Sequence, residues 1–296
     1  MENKLYLHLG LHKTATTSLQ KFVFPNIPNV IFLGRTTEPL LSQDSFYKSL
    51  VSYCFSNQED LNVENELKLS FQDKLNESSI IISDEWFTAD FDGFYKFNCA
   101  PWQVKISKLS RIVKGLNVEV LITVRTPFDG VFSQYCEFTQ VGIEKYYGDF
   151  FNYIMESNDA QAYNYNRLRQ LLDGSFKNVT YFRYDDFIKD SNIFKEYFSV
   201  ECDFEMKNSN IKRKEKNGVY VNKKAKLLSL IINLIPQRVL NVIKNTFFYD
   251  FIVKKIIRFF SSQVLVPQPS ATEKELIMNE LKESSEFYRD INNFKK

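Results

Sequence analysis

Histidine is almost missing from this 296-residue chain, which has only His8 and His12. Cysteine is sparse too: Cys54, Cys99, Cys136 and Cys202 stand far apart, with no Cys-x-x-Cys pair and no histidine at ligand spacing. These absences argue against a zinc site, and a chain of this length needs no disulfide framework. No apolar run of about 18 residues is present to cross a bilayer. No secretory leader is visible, because the first periodic segment starts at Lys4 and is interrupted by Gly10. The expected address is therefore the cytoplasm. An excess of one charge sign is also lacking: the net charge of +2 gives no electrostatic case for a nucleic-acid partner.

What is present is the composition of a folded protein, with 44% hydrophobic and 25% charged residues. The length allows one large α/β domain, or one domain with a helical extension. The 28 Phe and 16 Tyr suit a stiff core and a stacking platform for bases or sugars equally.

Leu5, Leu7 and Leu9 alternate with Tyr6 and His8, which predicts a strand over residues 4–9. A polar turn follows over 10–16. The capping-box spacing of Thr17 and Gln20 predicts a helix from Thr17, ending before Pro25 or Pro28. Further strands are expected at 29–34, 79–83, 118–124 and 178–183, and helices at 63–76, 102–115, 127–138 and about 163–172. Strands alternating with helices predict an α/β fold, a P-loop-like parallel β-sheet wrapped on both faces.

After residue 208 the character changes. Residues 211–226 are rich in Lys and Asn and read as a loop, whereas 227–266 are strongly apolar with scattered basic residues. Pro236 interrupts that apolar stretch, so neither half is expected to span a bilayer as one helix. Its basic second half suits either a membrane surface or, more simply, packing on the sheet or a homodimer interface. A break at 267–269 precedes one charged amphipathic helix over 272–294. The expected division is a core over 1–210 and a helical C-terminal extension over 211–296.

The segment Leu9-Gly10-Leu11-His12-Lys13-Thr14-Ala15-Thr16-Thr17-Ser18 joins the first strand to the first helix. Such a turn aims backbone N–H groups and a helix N-terminus at one point, which favours an anion. Lys13 adds a full positive charge, and Thr14, Thr16, Thr17 and Ser18 add hydroxyls. The segment is not a Walker A loop, since it lacks Gly-Lys-Ser/Thr and its lysine comes three residues too early. A second anion-binding candidate is Arg125-Thr126-Pro127, where an arginine ends a strand just before a helix that carries Ser133. Arginine offers a planar fork of donors to a phosphate.

The string from His12 to Gln20 resembles the 5′-phosphosulfate loop of the sulfotransferase superfamily, usually Lys-Thr-Gly-Thr-Thr, and is especially similar to bacterial carbohydrate-type members. Ala15 stands where the family usually has glycine. Arg125, Pro127, Ser133 and Tyr135 are similar in spacing to the family's 3′-phosphate motif. Residues 181–187 resemble its late strand-and-acid segment, with Asp185 and Asp186 read as helix caps. The resemblance covers roughly residues 4–200.

It implies PAPS as sulfuryl donor and PAP as product, held by His12, Lys13, Thr14, Ala15, Thr16, Thr17, Ser18, Arg125 and Ser133 without a metal. It implies Lys13 as the group that neutralises the leaving oxygen. Ser83-Asp84-Glu85-Trp86, after the 79–83 strand, falls where relatives carry the catalytic base, which makes Glu85 the first candidate and Asp84 the second. The acceptor is expected to be a hydroxyl or amine on a glycan or glycolipid; Trp86, Trp102, Tyr135 and Phe138 are candidates to line its cleft, although a core role is the expectation for each. His8 is expected to be structural. Two other readings stay open at this point: a P-loop-type nucleotide kinase or NTPase, and a non-catalytic nucleotide-binding relative.

Overall fold

A computed structural model describes residues 3–35, 44–94, 98–190, 192–200, 214–215, 218–223 and 262–291. Its centre is a five-stranded sheet built from β1 (Leu5–His8), β2 (Val30–Gly34), β3 (Ser79–Ser83), β4 (Val118–Val124) and β5 (Val179–Arg183). The order is β2-β3-β1-β4-β5, and every neighbouring pair is parallel. Alternation along the central strands sends side chains to two different cores. Leu5, Leu7, Ile80, Ile82, Val120 and Ile122 enter the larger core, while Ile81 and Leu121 enter a smaller one with Phe24, Phe182 and Phe194. A sheet buried on both faces needs such continuous apolar strands.

The helices are α1 (Thr16–Ser18), α2 (Ser45–Phe55), α3 (Leu61–Glu77), α4 (Trp102–Ile112), α5 (Pro127–Val141), α6 (Phe150–Glu156), α7 (Asn158–Gln161), α8 (Tyr165–Ser175), α9 (Tyr184–Lys189) and α10 (Asn192–Phe198). Two boundaries differ from expectation. The first helix starts at Thr16 rather than Thr17, after Ala15 in the left-handed region, with no side-chain cap; the Thr17–Gln20 spacing is not used as a capping box. Asp185 and Asp186 are not caps either. They lie in the first turn of α9, where acids suit the helix dipole, and they bind Tyr288 and Arg183.

Residues 211–226 are not simply a loop. They contain β6 (Lys214–Glu215) and β7 (Gly218–Lys223), which form a second, antiparallel sheet with β8 (Ser262–Pro267). The terminal segment is two helices, α11 (Ala271–Glu280) and α12 (Lys282–Asp290), rather than one. A true capping box at Ser270 and Glu273 starts α11. Val219, Val266, Ile277, Leu281 and Tyr288 join the larger core. The apolar stretch considered for a membrane or dimer contact lies outside the described residues, apart from β8. Among the described residues no helix is long and apolar enough to cross a membrane.

Candidate active site

Three adjacent strands deliver the candidate residues to one edge, because each residue follows the carboxyl end of its strand. β1 leads into His12 and Lys13, β3 into Asp84 and Glu85, and β4 into Arg125. In parallel sheets such a crevice beside the central strand is where ligands bind. Gly10 allows β1 to turn here: a Cβ at this position would stand 2.6 Å from Thr123 Oγ1 and 2.8 Å from His8 Nε2.

The loop after β1 is held in a tight form. Lys13 has φ 64° and Ala15 has φ 61°, both in the left-handed region. Thr14 Oγ1 donates to Leu11 O at 2.6 Å and lies 2.7 Å from Thr123 Oγ1, and Thr16 Oγ1 donates to Leu11 O at 3.4 Å. These two hydroxyls brace the loop through Leu11 O and Thr123. Tyr163 supports the loop from outside by donating to His12 O at 2.7 Å. Thr17 is exposed and Ser18 buried. The backbone N–H groups of Lys13, Thr14 and Ala15 donate to no backbone carbonyl among the described residues. A left-handed residue between two helical or turn conformations makes successive N–H groups converge, as an anion requires.

The left-handed alanine has a stability consequence. An L-residue in this region costs about 1–2 kcal/mol that glycine does not, partly offset by glycine's freedom in the unfolded chain. Ala15→Gly is expected to stabilise the protein by about 0.5–1 kcal/mol, a rise of roughly 2 °C in Tm. Thermal unfolding checks it; a lower Tm would show that the Ala15 methyl packing outweighs the strain.

Helix α5 joins the two anion-binding candidates. Pro127 opens it at the first helical position, two residues after Arg125. Gly130 makes room for Tyr163, whose ring would lie 2.6 Å from a Cβ there; the same Cβ would lie 3.7 Å from Arg125 Cβ. Ser133 and Glu137 follow at helical spacings of three and four, so they continue the same stripe. Its far end reaches the loop: Glu137 Oε1 lies 3.2 Å from Lys13 Nζ and Glu137 Oε2 lies 3.9 Å from His12 Nδ1. Arg125 stacks on Tyr184 at 4.9 Å and pairs with no carboxylate among the described residues. Ser133 is partly buried.

On the other side of β1, Asp84 and Glu85 have separate environments. Asp84 is fully buried; its oxygens accept from Tyr47 Oη at 2.6 Å and from the Trp86 N–H at 2.9 Å, which starts the 3-10 turn Glu85–Thr88. Glu85 is only partly buried. Burial, reinforced by the Asp84 charge, pushes its carboxyl up to about 7, while Arg35 and Gln20 act in the opposite direction. Gln20 Nε2 donates to Glu85 Oε2 at 3.3 Å and to Ser83 O and Oγ at 3.1 Å each.

Ser83 Oγ lies 2.7 Å from His8 Nδ1, and His8 Nε2 lies 3.4 Å from Thr123 Oγ1. Burial lowers His8 to about 3, so it is neutral and structural, as expected. His12 is lowered to about 4 by burial, and its Nε2 is buried without a hydrogen-bond partner among the described residues. Such an atom beside the loop, with loop amides and an Arg125 guanidinium that meet no carbonyl or carboxylate among the described residues, fits a polyanionic ligand.

Of the four aromatics considered for an acceptor cleft, two are elsewhere. Trp102 and Tyr135 are core residues at 1% exposure, and Tyr135 donates to Tyr146 O. Trp86 and Phe138 do converge, through Phe91, whose ring lies 4.5 Å from Trp86 and 5.6 Å from Phe138. The sequence reasoning missed Gln20, Arg35 and Glu137. Gln20 is spaced like a capping residue and Glu137 like an ordinary helical acid, so only their contacts reveal them.

No known family profile and no curated protein matches the chain. Solved structures similar to it include the following two. One is a sulfotransferase from Alicyclobacillus acidocaldarius, at 13% identity and TM-score 0.42, over 71% of this chain and 86% of that one. The other is a retinol dehydratase in a complex with retinol and PAP, at 10% identity and TM-score 0.34, over 100% of this chain and 82% of that one.

Proposed function

We propose that this chain is a PAPS-dependent sulfotransferase that moves a sulfuryl group to an acceptor hydroxyl or amine, on a glycan or glycolipid, without a metal. The observation that carries the reading is a single sheet edge bearing an open backbone turn with Lys13, an Arg125 that pairs with no carboxylate among the described residues, and Glu85 beside the buried Asp84. The donor supplies an activated sulfuryl group and a nucleotide leaving group. The amides of Lys13, Thr14 and Ala15 orient its 5′ end, and the Lys13 ammonium neutralises charge as it grows on the bridging oxygen. Arg125 and Ser133 hold the 3′-phosphate. Glu85 takes the proton from the acceptor, and its raised carboxyl value makes it an effective base near neutral pH. A kinase or NTPase reading is less well supported, since Arg125 stands after β4 where an acid for a magnesium ion would be expected.

Incubation with labelled PAPS and a panel of glycans, lipids and phenols tests the reaction directly. Absence of transfer to any of them, with no binding of PAP, removes the proposal. Donor choice provides a sharper check. Arg125→Ala and Ser133→Ala are expected to weaken PAP while leaving adenosine 5′-phosphosulfate nearly unchanged. Losing the charged contact costs about 1.5–3 kcal/mol, or roughly 10- to 150-fold in Kd. Equal losses for both nucleotides would refute the 3′-phosphate role.

A further inference from the structure

The base side of the site holds a cation that the proposed chemistry leaves unused. Arg35 directly follows β2, and its N–H donates to Ser83 O at 3.3 Å. Because Gly34 is in register with Ser83, Arg35 comes to stand beside Asp84, next to Glu85. Its guanidinium lies over the Trp86 ring, 3.1 Å from the centroid, and Trp86 is backed by Phe91.

Among the described residues, the carboxylate nearest Arg35 does not consume its donors. Asp84 Oδ1 is 3.9 Å from Arg35 Nε, beyond hydrogen-bond distance, and both Asp84 oxygens already accept from other groups. The Arg35 side chain keeps 37% of its surface exposed. A guanidinium donates in its own plane, so stacking on Trp86 uses its face, and no described residue accepts a hydrogen bond from its N–H edge. Arg35 also lies close enough for its charge to act on both Glu85 and His12. A planar donor fork, fixed by an aromatic ring one residue from the candidate base, is suited to a carboxylate or phosphate.

We propose that the acceptor is anionic, with Arg35 binding an oxyanion of the acceptor while Glu85 faces the hydroxyl to be sulfated. This rests on the sulfotransferase reading. In this arrangement Arg35, held in place by Trp86, sets which of the acceptor's hydroxyls reaches Glu85. A neutral sugar lacks the charge-assisted contact with Arg35.

The test is calorimetric titration of the PAP-loaded protein with methyl glucoside, methyl glucuronide and glucose 6-phosphate. Both anions are expected to bind about tenfold tighter or more than the neutral glycoside. The stronger of the two identifies a carboxylate or a phosphate as the recognised group. In Arg35→Gln the preference is expected to vanish while PAP affinity stays unchanged, and Arg35→Lys is expected to retain part of it. Equal binding of neutral and anionic sugars by the unaltered protein overturns the proposal, as does absence of binding by all three. So does an Arg35→Gln variant that loses affinity for all ligands equally and falls in Tm, since that marks a purely structural arginine. If PAP itself does not bind, the sulfotransferase reading fails instead, and the same titration of the donor-free protein still decides whether Arg35 selects anions.

Discussion

Lys13→Ala is expected to reduce kcat by about a hundred- to a thousandfold while PAP binding weakens far less. Lys13 is the one full charge carried by the loop itself, and its side chain is only 15% exposed, so water screens it weakly. Charge on the bridging oxygen of the donor grows as the sulfuryl group leaves, and a fixed ammonium stabilises that state more than the bound nucleotide. In the donor-free protein the charge is shared with Glu137, 3.2 Å away, which limits what the lysine contributes to ground-state binding. Single-turnover transfer from labelled PAPS measures the first effect and calorimetry with PAP the second. A variant that transfers at the unaltered rate would show that the loop has been misassigned.

Glu85→Gln keeps the shape of the side chain and removes its basicity, so kcat is expected to fall by about a hundredfold or more with donor affinity intact. In the unaltered protein the rate is expected to rise with pH through about 7, as the Glu85 carboxyl gives up its proton. Stability runs the other way. The folded carboxyl is raised above its ordinary value of 4.5, so its contribution is fully present below pH 4.5 and is lost as pH rises through about 7. Glu85→Gln is therefore expected to be more stable than the parent at pH 8 while being nearly inactive. Asp84→Asn should do the opposite: it weakens the buried contacts with Tyr47 and Trp86, lowers Tm, and leaves the base in place. Loss of activity confined to the Asp84 variant would move the base by one residue.

The central strands were legible because each is a short apolar run bounded by polar residues. The 79–83 and 118–124 strands fall where expected, and burial on both faces explains their composition. Lys13, Glu85 and Arg125 were legible for a related reason: each comes shortly after such a run, and parallel strands carry whatever follows them to the same edge. The second sheet was not legible. β7 pairs with β8 across about forty intervening residues, and a Lys- and Asn-rich segment shows no alternation that announces a strand. Long-range pairing of that kind depends on docking against α5 and the core rather than on local pattern.

From the sequence alone came the alternation that dictates a parallel sheet, and the residue types able to bind an anion and accept a proton. Local order carries that much, because strand period and turn chemistry act over a few residues. Tertiary structure decided which of those groups are free to act. It spent Thr14 and Thr16 on bracing the loop and buried Trp102 and Tyr135 in the core. It engaged Asp84 with Tyr47 and left Glu85 desolvated beside it. It also brought Glu137 to Lys13 and set Arg35 against Trp86, across separations of 124 and 51 residues (137 − 13 and 86 − 35). Desolvation, the partner of a charge and the remaining capacity of a donor are properties of the packed neighbourhood, and no local reading of the chain contains them.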